Sequence, residues 1–375
     1  MTTNLGPNTE PNLEPNLEKF TKAKLIELCD KLNIKGYKSQ TKAKLIVLIK
    51  QTQQPKTNEV NIKYTVSDTI DYLKQDTQNY TCIYLDPPYS SGRDYKFAES
   101  DREIAFTDKF NPDEYRSWLN QLVTLCKARL TENGTLWFHI SADYSFIAEQ
   151  VLYDHFKQIE KNFWKKSHGK NTVKNRTGSV IDIIFRCYNV KSIFNLQYIP
   201  LDAHYFETSY KNQDSKGLYA LGSLRFDKTR SGNKYAITIN GVEYKSEYGW
   251  KIKQSELERL IEEERIHFVQ PTRTRQANLY KKLYKHECKG KPLSNLWDDI
   301  SYITRTQEDP RVYPTQKPLK LLERIISIST NENDWVLDPT AGSGTTGVAC
   351  KKNNRNCCMI DINPQAKECF ITRNV

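Results

Sequence analysis

The chain reads as a doubly wound, mostly parallel α/β sheet of the Rossmann-like kind, with a long insert and a small helical module ahead of it. Three observations predict this. Short apolar runs at 80–85, 335–337 and 357–360 each lead into an aspartate: Asp86, Asp338 and Asp361. Unbroken apolar runs of this length suit strands covered on both faces, as in a parallel sheet between two helix layers. Helical spacing intervenes, as at Tyr115, Leu119, Leu122 and Leu125 within 112–130, and strand–helix alternation implies parallel strands joined by right-handed crossovers. Finally, the run at 335–337 passes into Gly342-Ser343-Gly344-Thr345-Thr346-Gly347, a glycine turn that opens a helix.

Residues 1–19 form a polar tail in which Pro-Asn-Leu-Glu occurs twice, with too few apolar side chains to make a core. Residues 20–51 differ. The hexapeptide Thr-Lys-Ala-Lys-Leu-Ile at 21–26 recurs at 41–46. Each threonine can cap a helix. Leu25, Leu28 and Leu32 follow at helical spacing in the first copy, and Leu45, Leu48 and Ile49 in the second. The link from Asn33 to Tyr37 reads as a short extended turn. Lysines crowd this segment (Lys22, Lys24, Lys35, Lys38, Lys42 and Lys44 among them) against only Glu27 and Asp30. Two short helices with such a surface resemble the SAP-type DNA-binding module. A helical hairpin docked on the main domain would show the same pattern.

Residues 52–63 make a polar, proline-containing linker. Residues 64–190 hold the first part of the sheet, with strands expected at 80–85, 136–140 and 180–187, a helix at 112–130 and a turn at Asn133-Gly134. Residues 191–310, rich in Tyr, Lys, Arg and Asn, read as an insert outside the sheet, with a charged helix at 255–265. Residues 311–375 return to the sheet through a helix at 321–328.

The 375 residues carry a formal net charge of +11. A basic excess of this size favours a polyanionic partner, nucleic acid first. No apolar run is long enough to span a bilayer, and the N-terminus has no signal-peptide core, so a cytoplasmic location is expected. The nine cysteines include no C-x-x-C pair, and the six histidines show no metal-ligand spacing, so no metal site is expected. Lys165, Lys166, Lys170, Lys174 and Arg176 lie in a basic stretch from 161 to 176 that reads as a flexible loop able to track phosphates, or as an ordinary solvated loop.

Gly342 and Gly344 let the backbone turn sharply and approach a ligand. By itself Gly342-x-Gly344-x-x-Gly347 fits a dinucleotide fingerprint or a tight turn needed only for folding. Asp338 closes the strand before it, where a carboxylate can face a cation. Asp361 closes the next strand, where a carboxylate can accept from a ribose diol. That pair suits a nucleoside with a cationic amino-acid tail as well as it suits a nicotinamide dinucleotide.

Asp-Pro-Thr-Ala-Gly-Ser-Gly-Thr-Thr at 338–346 is similar to the cofactor motif of amino-directed DNA methyltransferases. The resemblance implies that Asp338, Pro339, Thr340, Ala341, Gly342, Ser343, Gly344, Thr345 and Thr346 line an S-adenosylmethionine site whose ribose is held by Asp361. Tyr313-Pro314-Thr315-Gln316-Lys317-Pro318-Leu319 is similar to the partner motif, with Thr315, Lys317 and Pro318 at the cofactor. Asp86-Pro87-Pro88-Tyr89 matches the catalytic tetrapeptide. An exocyclic base amine is a poor nucleophile because its lone pair is delocalised. Asp86 and the Pro87 carbonyl can each accept one amine hydrogen, the prolines stiffen the loop, and Tyr89 offers a flat face to a base flipped out of the duplex.

The catalytic motif precedes the cofactor motif, the order of the permuted β class, and segments at 246–250, 255–260, 265–268 and 292–300 resemble restriction–modification methyltransferases. The implied partners are double-stranded DNA, a second copy of the chain and a cognate restriction endonuclease. Aspartate in the first position points to adenine N6. Cytosine N4, an RNA or protein-glutamine substrate, and a non-catalytic DNA-binding protein with a vestigial fold stand as alternatives.

Overall fold

The computed structural model describes residues 20–31, 41–53, 60–96, 104–166, 175, 177–303 and 311–373. The repeated hexapeptide starts a helix both times: α1 (Lys22–Lys31) and α2 (Lys42–Gln53). Thr21 and Thr41 Oγ1 accept the N–H groups of Lys24 and Lys44, each at 3.4 Å. Leu25, Cys29, Leu45 and Ile49 bury against one another, leaving Lys22, Lys24, Lys42 and Lys44 exposed. The inter-helix link lies outside the described residues.

The main domain begins with β1 (Ile62–Val66), α3 (Thr69–Gln75) and β2 (Tyr80–Leu85). The hairpin β3 (Arg93–Lys96) and β4 (Ile104–Asp108) follows, then α4 (Pro112–Ala128), β5 (Leu130–Ser141), α5 (Ser145–His155), β6 (Gln158–Lys165) and β7 (Ile181–Tyr188). The middle of the chain adds β8 (Tyr198–Ile199), α6 (Ala203–Ser209), β9 (Asn212–Asp214), β10 (Gly217–Ser223), β11 (Ala236–Ile239), β12 (Val242–Lys245), α7 (Gln254–Glu262), β13 (Ile266–Val269), β14 (Asn278–Tyr284), β15 (Lys291–Pro292) and β16 (Leu296–Trp297). The last stretch holds α8 (Leu319–Ser329), β17 (Trp335–Asp338), α9 (Thr345–Lys352), β18 (Asn356–Asp361) and α10 (Pro364–Thr372). No helix among the described residues is long and apolar enough to cross a membrane.

Eight strands form the central sheet in the order β1-β18-β17-β2-β5-β7-β6-β16. Pairing is parallel from β1 through β5, antiparallel on both sides of β7, and parallel again between β6 and β16. One face is packed by α3, α4 and α5 through Leu73, Leu119, Leu122 and Leu152. The other is packed by α8 and α9 through Leu321, Leu322, Ile325 and Ala349, together with Trp137, Trp164 and Trp297. Burial on both faces explains the unbroken apolar runs: all six residues of β2 are buried.

Three expectations need correction. Asn133-Gly134 is not a turn between elements. It lies inside β5, where Tyr80 pairs with Leu130 but Cys82 already pairs with Thr135, so the extra residues bulge out of the ladder. The basic stretch from 161 is not all loop. Lys161–Lys165 end β6, and Trp164 is fully buried with its indole N–H given to the Ile300 carbonyl at 2.8 Å. The region 191–310 is not wholly outside the sheet either. It does build its own four-stranded sheet, β13-β14-β10-β9, with a core of Leu224, Tyr244, Trp250, Leu257 and Leu279. Yet β16 from the same region forms an edge of the central sheet.

Candidate active site

The strands β18, β17 and β2 are neighbours, so Asp361, Asp338 and Asp86 fall in a row beyond their carboxyl ends. The next helix after β2 is α4, on one face, while α9 follows β17 on the other. A crevice opens between strands whose connections leave in opposite directions. Here it holds a cavity of about 320 Å³. All of Asp86–Tyr89 border it. So do Thr315, Lys317, Asp338–Ser343, Thr345, Thr346 and Asp361. Pro318 and Gly344 do not. Pro318 precedes α8, and Gly344 sits at φ +70° at the start of α9, where a Cβ would lie 2.4 Å from Phe370 Cδ2. Gly344 therefore shapes the wall from behind.

Long-range bonds fix the glycine turn. The Tyr64 hydroxyl donates to the Gly342 carbonyl at 2.6 Å, and Thr69 Oγ1 to the Pro339 carbonyl at 2.5 Å. The Ala341 N–H donates to the Ile360 carbonyl at 2.9 Å. Asp361 accepts from the Gly342 and Asn363 amides at 2.8 and 2.9 Å. Asp338 is 2% exposed and accepts from the Thr340 amide at 3.1 Å and the Thr346 hydroxyl at 2.5 Å. Among the described residues its partners are an amide and a hydroxyl, with no cation. Burial pushes its carboxyl up to about 7; those two hydrogen bonds oppose the rise, and the charges of Asp86 and Asp361 add to it. Burial also raises Asp361. This end of the cavity is a wall of poorly neutralised carboxylates, electrostatically suited to a cationic ligand.

At the other end, Asp86 is held on both oxygens. Tyr89 donates its hydroxyl to Oδ1 at 2.8 Å, and the Lys317 ammonium pairs with Oδ2. Burial alone would lower the Lys317 pKa, but the Asp86 charge reverses this and the net shift is upward. The Asp86 amide donates to Thr340 Oγ1 at 3.1 Å, which ties the Asp86–Tyr89 segment to the glycine turn. The Pro88 carbonyl accepts from Tyr115 at 2.6 Å. Burial and the nearby Asp86 carboxylate keep Tyr89 protonated, far above the ordinary phenol range. The resemblance placed Lys317 at the cofactor; its ammonium pairs with Asp86.

The basic residues divide. Lys22, Lys24, Lys42 and Lys44 are exposed on α1 and α2, and Lys165 is exposed on β6. Lys166 instead pairs at 2.5 Å with buried Asp182, which also meets His139 Nε2 at 3.3 Å. It is thus engaged in an internal ion pair. Lys35, Lys38, Lys170, Lys174 and Arg176 lie outside the described residues. The sequence reading missed Asp68, Thr69, Tyr95, Phe106, Asp108, Phe110 and Trp118, all of which border the cavity. The aromatic spacing between Tyr89 and Trp118 was the one available signal for several of them.

Residues 80–372 match the family model described as DNA methylase. The chain is 48% identical over 285 residues to the type II methyltransferase M.BamHI of Bacillus amyloliquefaciens, covering 74% of this chain and 49% of the relative. It is 26% identical over 274 residues to the type II methyltransferase M.EcaI of Enterobacter cloacae, covering 70% and 58%. To the Mod subunit of the type III restriction-modification enzyme StyLTI of Salmonella typhimurium it is 24% identical over 327 residues, covering 76% and 49%. The chain therefore spans about half the length of these relatives.

Proposed function

The chain belongs to the DNA methylase family, and from that membership we propose that it transfers a methyl group from S-adenosylmethionine to an exocyclic base amine in double-stranded DNA. We read it as a β-class enzyme and the modification component of a restriction–modification system, acting on adenine N6 with the base swung out of the duplex. One observation carries this reading: Asp86 and the acidic wall of Asp338 and Asp361 border a single cavity.

The residues present fit S-adenosylmethionine. Asp361 is placed to accept from a ribose diol. Asp338, buried and without a cationic partner among the described residues, favours a positively charged ligand. When bound, the cofactor supplies a methyl group activated by its sulfonium. The chain's own residues do the rest. Asp86, oriented by Tyr89 and Lys317, accepts one amine hydrogen, and the Pro87 carbonyl accepts the other. Both bonds aim the nitrogen lone pair at the methyl carbon. As the N–CH₃ bond forms and the S–CH₃ bond breaks, the excess proton leaves the nitrogen through Asp86 or an adjacent water. Tyr89, which borders the cavity, stacks on the flipped base. Lys22, Lys24, Lys42 and Lys44, exposed on the helical pair, contact phosphates.

Incubation with unmethylated DNA and methyl-labelled S-adenosylmethionine, followed by digestion to nucleosides, tests the reading. Label in N6-methyladenine is expected. Label in N4-methylcytosine would move the substrate to cytosine, and label in no base would sink the enzymatic reading. A chain lacking residues 1–51 should bind DNA more weakly and with a shallower salt dependence; an unchanged slope would reduce the helical pair to a packing role.

A further inference from the structure

The hairpin β3–β4 has no part in the mechanism above, yet it reaches both ends of the cavity. Tyr95 and Phe106 are cross-strand partners with rings stacked 4.7 Å apart at 13°. Both border the cavity. Phe106 packs with Tyr313, Ala366 and Cys369, and Tyr313 stands over the glycine turn, where a Cβ on Gly342 would meet its ring at 3.3 Å. Phe106 therefore belongs to the Asp361 end. Phe110 and Trp118, stacked on each other with centroids 5.8 Å apart, pack instead with the core that Tyr89 joins.

A single buried carboxylate ties the hairpin to the catalytic loop. Asp108 is 1% exposed and accepts from the amides of Ser90 and Ser91 at 2.6 and 3.0 Å, immediately after Tyr89. The Ser91 hydroxyl adds a third bond at 2.5 Å, and the Gly92 amide donates to the Asp108 carbonyl at 2.8 Å. Ser90 is held at φ +61° by these contacts.

We propose that this hairpin roofs the cofactor site: the Phe106 ring, backed by Tyr95, stacks on the purine of the nucleoside whose ribose Asp361 holds, and Asp108 fixes the roof to the catalytic loop. The inference rests on the cofactor reading above. A purine attached to a ribose at Asp361 needs a flat apolar surface close by, and Phe106 presents one beside Tyr313.

Calorimetric titration of the full chain with S-adenosylhomocysteine, with no DNA and no turnover, tests this. Phe106→Ala should weaken binding about tenfold or more. Phe106→Tyr should keep wild-type affinity, and Phe146→Ala, at an exposed position on α5 that does not border the cavity, should leave it unchanged. If Phe106→Ala does not fold, as judged by its thermal transition, Phe106→Leu keeps the apolar bulk without the flat face and should still weaken binding several-fold. A Phe106→Ala or Phe106→Leu protein that is folded and binds within twofold of wild type would overturn the roof while leaving the cofactor reading intact. Failure of the wild-type chain to bind at all would overturn both.

Discussion

Asp86→Ala is expected to lower the rate of methyl transfer by a factor of roughly 10²–10⁴, the range lost when a positioned proton acceptor is removed. Asp86 is the one carboxylate at the catalytic end that both Tyr89 and Lys317 hold. Removing it takes Lys317's counter-charge away and, in the proposed reaction, the base amine's first acceptor. The pair is largely shielded from solvent, its side chains 14% and 11% exposed. Alanine should therefore also cost some stability, because a half-removed buried pair strands the remaining charge. Asp86→Asn separates loss of the proton acceptor from loss of shape: it keeps the Tyr89 contact and the outline of the side chain but cannot take up the amine's proton, and like alanine it leaves Lys317 without its counter-charge. Both variants should bind S-adenosylhomocysteine within a few-fold of wild type. Single-turnover transfer to DNA measures the loss; a rate within tenfold of wild type in both would remove Asp86 from the chemistry.

Asp338→Asn is expected to flatten the pH dependence of stability. Burial raises the Asp338 carboxyl from 3.8 to about 7 in the fold. Below pH ~4 the group is protonated in both folded and unfolded chains and adds nothing. Between ~4 and ~7 the folded chain holds a proton that the unfolded chain has released, so stability falls as pH rises, by up to ~1.4 kcal/mol per pH unit. Above ~7 the penalty is complete, at most roughly 4 kcal/mol. Asparagine can accept from the Thr340 amide and donate to the Thr346 hydroxyl, so it preserves the local geometry without the ionisation. Denaturant melts at pH 5 and pH 8 should show the wild type losing more stability than the variant across that interval. Equal losses would mean that Asp338 titrates normally.

The parts of the fold written plainly in the sequence are those where local physics is sufficient. β2, β17 and β18 are buried on both faces, so their apolar runs stand out and their terminal aspartates mark the carboxyl edge. The repeated hexapeptide carries its own caps and core positions, and α1 and α2 follow from it. β6 was hidden because its exposed positions are lysine, glutamate and glutamine, and alternation over a basic stretch reads as loop. β16 has two residues and exists only by pairing with β6. The site divides in the same way. Asp86, Asp338 and Asp361 come from motifs, whereas the bonds from Tyr64 to Gly342 and from Thr69 to Pro339 join residues 278 and 270 positions apart. Spacing cannot reveal such pairs. Nor could it show that Lys317 pairs with Asp86, or that Lys166 faces Asp182.

In the proposed reaction one cavity holds the cofactor at its acidic end and delivers the methyl group at Asp86. A crystal structure with sinefungin, which carries an amine where the cofactor has its methylated sulfonium, tests it most directly. The expected complex has the ribose diol on Asp361, the purine against Phe106, and the amine directed at the space between Asp86 and Tyr89. Sinefungin bound with its ribose away from Asp361, or with its amine directed away from Asp86, would contradict it.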